Sequence, residues 1–202
     1  METICGTRSL SLDRAALAKR LCAYREVAVD LGTGDGRYVR QLARREPDCL
    51  VIGIDLCREN LREVSRRAPA NALYLIADAL ALPAELAGVA TRISINFAWG
   101  SLIQGLLRAE LGLCDGLRIL AVSSGARLDI KLNERSLAVA GWPLDDAEQQ
   151  LRANLHTAGF PLESCAVLDR VALRDCQTSW AKRIAHGEGV RALHLRAIIP
   201  CR

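Results

Sequence analysis

Short apolar runs bounded by charged or turn residues recur along this chain at 26–31 (EVAVDL), 50–55 (LVIGID), 72–77 (ALYLIA), 92–97 (RISINF) and 117–123 (LRILAVS). Runs of that length predict buried strands. The segments 36–45, 59–67 and 101–113 instead repeat their apolar residues at helical spacing, and a further helix is predicted over 12–21 with Ser11 as its N-cap. Beyond Ser124 the pattern changes. A polar connector, 127–145, leads into a predicted helix over 146–158 that Gly159 ends, followed by two β-like runs, 163–173 and 191–199, with 174–190 between them. Apolar strands alternating with helices predict an α/β fold whose mostly parallel sheet is covered on both faces. The reading gives seven strands with an antiparallel C-terminal strand in the late pair, unlike the six-stranded dinucleotide-binding pattern.

Composition narrows the class without naming a partner. The 202 residues, 50% of them hydrophobic, suit one domain spanning 1–202, with an N-terminal extension and helix (1–25), a cofactor-binding half (26–124) and a substrate-side half (125–202). No run of about 18 to 20 apolar residues predicts a membrane span, and the first residues lack the order of a signal peptide. The expected place is the cytoplasm, and the expected state a monomer. The eight cysteines are scattered, with no C-x-x-C pair and no histidine at ligand spacing, so free thiols and no metal are expected. A net charge of +4, carried mainly by arginine, tolerates a polyanion without requiring one.

The chemistry begins where the first of these strands ends. Asp30-Leu31-Gly32-Thr33-Gly34-Asp35-Gly36 leads into a helix, and glycine lets a backbone turn sharply and pass close to a ligand. A pyrophosphate-binding loop favours G-x-G-x-x-G and a helix N-terminus free of negative charge. This loop is G-x-G-x-G and opens on Asp30, which can accept from an ammonium group. That combination predicts S-adenosylmethionine as cofactor and a Rossmann-like class I methyltransferase fold. Asp55, followed by Leu56, ends the next strand, where a carboxylate can accept ribose hydroxyls. Asp78 ends the third, where it or the backbone of Ala79 and Leu80 could meet the adenine.

The fourth strand runs into Asn96-Phe97-Ala98-Trp99-Gly100-Ser101, which sets an aromatic beside the methyl donor as a stacking platform. Asn96, Phe97 and Trp99 are therefore also candidates to line the cofactor site. A second tryptophan, Trp180, stands in Thr178-Ser179-Trp180-Ala181-Lys182-Arg183, with Thr178 another candidate cofactor contact. At these residues the chain resembles the aminoglycoside-resistance 16S rRNA (adenine(1408)-N(1))-methyltransferases of the Kam and Npm type. The resemblance runs through DLGTGDGRYV, ENL, LP-x-EL at 82–86, NFAWGSL and SWAKRIA-x-G.

It implies that Trp99 and Trp180 hold a flipped adenine and that basic surfaces dock on 16S rRNA within the 30S subunit. The Ala98 carbonyl and the Asn96 side chain are then candidates to accept from the base's exocyclic amine. The family pattern carries proline where Ala98 stands, an acidic residue at Leu80, and a basic cluster where this chain has HGEGV. Candidate RNA contacts are Arg58, Arg62, Arg66 and Arg67 along one helix, Lys182 and Arg183 beside Trp180, and Arg191; Arg127, Lys131 and Arg135 in the connector could add to them. The alternative is a methyltransferase acting on another RNA, such as guanine N7 of tRNA, or on a small molecule.

Overall fold

A computed structural model describes residues 1–176, 178, 181 and 190–201. The chain opens with a hairpin, β1 (Glu2–Cys5) and β2 (Arg8–Ser11), then α1 (Arg14–Leu21). Next come β3 (Glu26–Leu31), α2 (Arg37–Arg45), β4 (Cys49–Asp55), α3 (Arg58–Arg66), β5 (Ala72–Ile76) and β6 (Arg92–Asn96). The second half holds α4 (Gly100–Arg108), α5 (Leu111–Leu120), β7 (Ala126–Asn133), α6 (Glu134–Val139), α7 (Leu144–Thr157), β8 (Leu162–Leu168), α8 (Arg170–Asp175) and β9 (Ala192–Ile199).

The strands form one sheet in the order β2-β1-β5-β4-β3-β6-β7-β9-β8. Its five central strands are parallel, while β9 runs antiparallel between β7 and β8. The expected α/β class and antiparallel C-terminal strand hold, but the sheet has nine strands rather than seven. The added pair is the N-terminal hairpin, whose β2 (RSLS) is exposed throughout and so lacks the alternation that marks a half-buried strand. The first helix also begins later than expected: Asp13, not Ser11, caps it, accepting from the Ala16 amide at 2.7 Å.

Two further assignments change. The run 117–123 is not a strand; most of it is the second half of α5, packed in the core through Leu117 and Leu120. A short buried run carries no period that separates strand from helix. The predicted helix over 101–113 breaks at Ala109, which adopts φ +52°, so two helices stand where one was read. The fifth parallel strand is β7, inside the supposed polar connector. Its sequence, ARLDIKLN, alternates strictly because only one face is packed: Leu128, Ile130 and Leu132 enter the core, and Asp129 and Lys131 line a groove. The run 163–173 likewise ends as a strand at Leu168, where Asp169 caps α8 through the Ala172 amide.

Helices α1, α4, α5 and α7 bury one face of the sheet in the larger core. On the other face α2 and α3 cover β3, β4 and β5 through Val39, Leu42, Leu61 and Val64. That leaves β6, β7 and β9 presenting Ser94, Asp129, Lys131, His194 and Arg196 to an open groove between α2 and α8. Burial pulls the Asp129 carboxyl upward, but His194, 2.9 Å away, and Lys131 outweigh it and hold the group at about 2.

Candidate active site

The carboxyl ends of β3, β4, β5 and β6 surround a cavity of about 290 Å³. Its floor is the glycine loop. Gly32, Gly34 and Gly36 adopt φ of +67°, +56° and +64°, the left-handed region that penalises any side chain. At Gly36 a Cβ would also stand 2.7 Å from both Tyr74 Cε1 and Val64 Cγ1, so packing and backbone conformation demand glycine together. The loop is braced from the neighbouring strand: the Thr33 amide donates to the Ile54 carbonyl at 3.0 Å, and the Gly34 amide to Asp55 Oδ2 at 2.7 Å.

Asp55 also accepts from the Cys57 amide at 2.8 Å through Oδ1. It lines the cavity and holds two loops in register at once. Asp78 combines the same duties, accepting from the Leu80 amide at 2.9 Å while lining the cavity beside Ala79. Leu80 itself turns away: its side chain packs on Gly105 and its carbonyl against Gly112, so it is not among the lining residues. Leu56, 65% exposed, stands on the rim.

Asp30 is buried at the end of β3, and the hydrogen bonds it accepts from Ser94 and Asn96 fall on one oxygen. Ser94 Oγ and Asn96 Nδ2 donate to Oδ1 at 2.6 and 2.9 Å, and Oδ2 accepts from neither. Burial raises the Asp30 pKa above its ordinary value, a shift opposed by the Ser94, Thr33 and Asn96 side chains and by Lys131. A site that stabilises this carboxylate only in part suits a cationic ligand group.

The lip of the cavity is a strained turn. Phe97 adopts φ +56°, rare for a bulky residue, with its amide bonded to the Lys131 carbonyl at 2.6 Å and its ring in a small cluster with Leu173, Ala181 and Ala192. Ala98 packs into the main core. The chain then reverses at Gly100, φ +59°, and this leaves Trp99 42% exposed at the cavity mouth. Thr178 closes the opposite side, its Oγ1 accepting from the Ala181 amide at 3.0 Å.

The family model described as NpmA: 16S rRNA (adenine(1408)-N(1))-methyltransferase matches residues 2–199. The chain belongs to this family. A 16S rRNA (adenine(1408)-N(1))-methyltransferase of Escherichia coli is 29% identical over 199 residues, covering 90% of this chain and 91% of that protein. One from Streptoalloteichus hindustanus is 30% identical over 91% of this chain and 92% of its own. The crystal structure of the 16S rRNA methyltransferase KamB superposes with a TM-score of 0.88 at 28% identity, covering 99% of this chain and all of that one. A family member from Catenulisporales acidiphilia, solved with cosubstrate SAM, gives 0.84 at 26% identity over 99% and 97% of the two chains.

On this family member the fold gathers Asp30, Gly32, Thr33, Gly34, Asp55, Leu56, Asp78, Ala79, Asn96, Phe97, Ala98, Trp99 and Thr178 around one cavity. Gly36 sits behind it, shaping the start of α2. Sequence reading missed Tyr38, Asn60 and Leu102, which also line it, and Ser94, which reaches Asp30 from β6. Period-2 alternation along RISIN would have placed Ser94 on the same face as Asn96. Trp180, Lys182 and Arg183 lie outside the described residues.

The candidate RNA contacts are dispersed. Arg62 and Arg66 on α3 and Arg67 at its C-terminal end are exposed, with the Arg66 stem against Gly6 of the hairpin and Arg62 3.4 Å from Glu59. Arg58 is engaged by Glu2 and Ser9, and Arg191 by Glu134 at 2.6 Å. Arg127 and Lys131 belong to β7 and face the groove, with Lys131 paired to Asp129.

Proposed function

We propose that this protein methylates N1 of adenine 1408 in 16S rRNA, acting on the 30S subunit and so conferring aminoglycoside resistance. The observation that carries this reading is the exposed Trp99 at the mouth of a cavity built on three successive strand-end aspartates, in a chain of the NpmA family. The residues fit S-adenosylmethionine. The left-handed glycine loop leaves backbone where a Cβ would intrude, Asp30 offers its second oxygen to an ammonium, and Asp55 lies at the ribose position of this fold. Bound there, the cofactor supplies an electrophilic methyl on a sulfonium.

What remains for the protein is placement. Adenine N1 carries a free lone pair at neutral pH, so the transfer needs alignment and exclusion of water rather than a general base. Trp99, together with Trp180 as the motif match implies, takes the base out of its stack at a cost of a few kcal/mol that stacking offsets. The methylated base is cationic, and flanking indole faces favour that charge. The Ala98 carbonyl is the candidate to choose the base edge. Arg62, Arg66 and Arg67, beside the hairpin, are the docking face we assign to rRNA phosphates.

Primer extension on 30S subunits incubated with the protein and S-adenosylmethionine tests this. A new stop at adenine 1408 is expected, and no stop under conditions of measured cofactor binding would reject it.

A further inference from the structure

We propose that Ser94 and Asn96 are positioning residues for the methyl donor, acting through Asp30, and that Asn96 does not read the target base. This rests on the cavity being the S-adenosylmethionine site. β3 and β6 are neighbours, and their register sets Asp30 opposite Ser94 with Asn96 two residues further along the same face. Both side chains spend a donor on the same oxygen of Asp30. A carboxylate gripped twice on Oδ1 cannot rotate, and this fixes where Oδ2 presents its lone pairs. The ammonium of the cofactor's aminobutyrate end is the group that such an oxygen recognises.

The Asn96 amide has only one way to serve this arrangement. An ionised Asp30 accepts and cannot donate, so the nitrogen of Asn96 must face it and the carbonyl must face away. That carbonyl oxygen is buried with no hydrogen-bond partner. A buried acceptor is seldom left unpaired, and where one is, the residue is usually held by another demand. Here the demand is the bond to Asp30. The same orientation withdraws Asn96 from selecting the base, because its donor is committed and its acceptor is inaccessible to solvent.

The test is calorimetric binding of two probes, S-adenosylhomocysteine and 5′-methylthioadenosine, which lacks the aminobutyrate group. Each is titrated into the wild-type chain and into Asn96→Ala, Ser94→Ala, Asp30→Asn and the double variant Asp30→Asn with Asn96→Ala. Loss of a hydrogen bond to a charged group should weaken S-adenosylhomocysteine about tenfold in each single variant. Binding of 5′-methylthioadenosine should stay within about twofold, and adding Asn96→Ala to Asp30→Asn should cost almost nothing more, because coupled residues are non-additive. Equal weakening of both probes, unchanged S-adenosylhomocysteine affinity, or full additivity in the double variant would each overturn the proposal. Failure of the wild-type chain to bind S-adenosylhomocysteine would instead reject the cofactor reading itself. Should Asn96→Ala not fold, Ser94→Ala carries the same comparison.

Discussion

Gly36 and Gly88 both occupy the left-handed region, at φ +64° and +71°, yet their surroundings differ completely. A Cβ at Gly36 would stand 2.7 Å from Tyr74 Cε1 and Val64 Cγ1, whereas at Gly88 nothing lies within 4 Å. Alanine at Gly88 therefore meets only the backbone penalty, about 1–2 kcal/mol. Alanine at Gly36 meets that penalty and overpacking of roughly 1–3 kcal/mol, so about 2–5 kcal/mol together. Urea unfolding of the two variants and the parent measures both, and the difference between the variants isolates the steric part. Because Gly36 opens α2 beneath the cofactor loop, S-adenosylhomocysteine affinity should fall in Gly36→Ala and hold in Gly88→Ala. Equal destabilisation of the two, or an unchanged affinity in Gly36→Ala, would refute the claim that packing against Tyr74 and Val64 sets the loop.

Three other outcomes follow from the site and the sheet. Burial raises the Asp30 pKa above 3.8, so its contribution to stability is complete below that value and is lost as pH rises through the raised one; Asp30→Asn should be the more stable protein at pH 7 by thermal melting, lose that advantage near pH 3.5, and bind cofactor more weakly throughout. Asp129 behaves oppositely: held at about 2 by His194 and Lys131 against the pull of burial, it stabilises above 3.8 and ceases to as pH falls through 2, so the stability deficit of Asp129→Asn should narrow across that window. Trp99→Ala should cut rRNA methylation by roughly 5- to 150-fold, the equivalent of one stacked base, with S-adenosylhomocysteine affinity changed less than about threefold; Trp180→Ala should show the same loss with cofactor affinity intact.

The cofactor half of the molecule was legible because its signals are local. A strand ending in Asp30, three glycines and a helix can be read from seven consecutive letters, and Asp55 and Asp78 repeat the position on the next two strands. Errors concentrated where tertiary contacts decide. LRILAVS reads as a strand, but Leu117 and Leu120 serve helix packing, and the residues around Ala109 gave no sign that a helix would break there. ARLDIKLN reads as a polar connector because half its side chains are polar, although its strict alternation is that of a strand with one face open. The N-terminal hairpin is silent in the sequence for a related reason: β2 is exposed, so no apolar face marks it.

Within the site, the type of each residue was easier to read than its duty. The Leu80 backbone reads as an adenine contact because it follows Asp78, yet its carbonyl packs against Gly112 and its side chain against Gly105. Asn96 reads from sequence as a contact to both cofactor and base, and only the side-chain geometry assigns its nitrogen to Asp30. Ser94 escaped notice because its role exists only across the β3–β6 pairing.

The most direct test of the central claim is the mass and position of modified nucleotides in 16S rRNA from cells expressing this chain. One added methyl group on adenine 1408, at N1, present with the wild-type sequence and lost with Trp99→Ala, is the predicted result. An unmodified adenine 1408 in cells where the protein is folded and binds S-adenosylmethionine, or a methyl group found on tRNA instead, would contradict it.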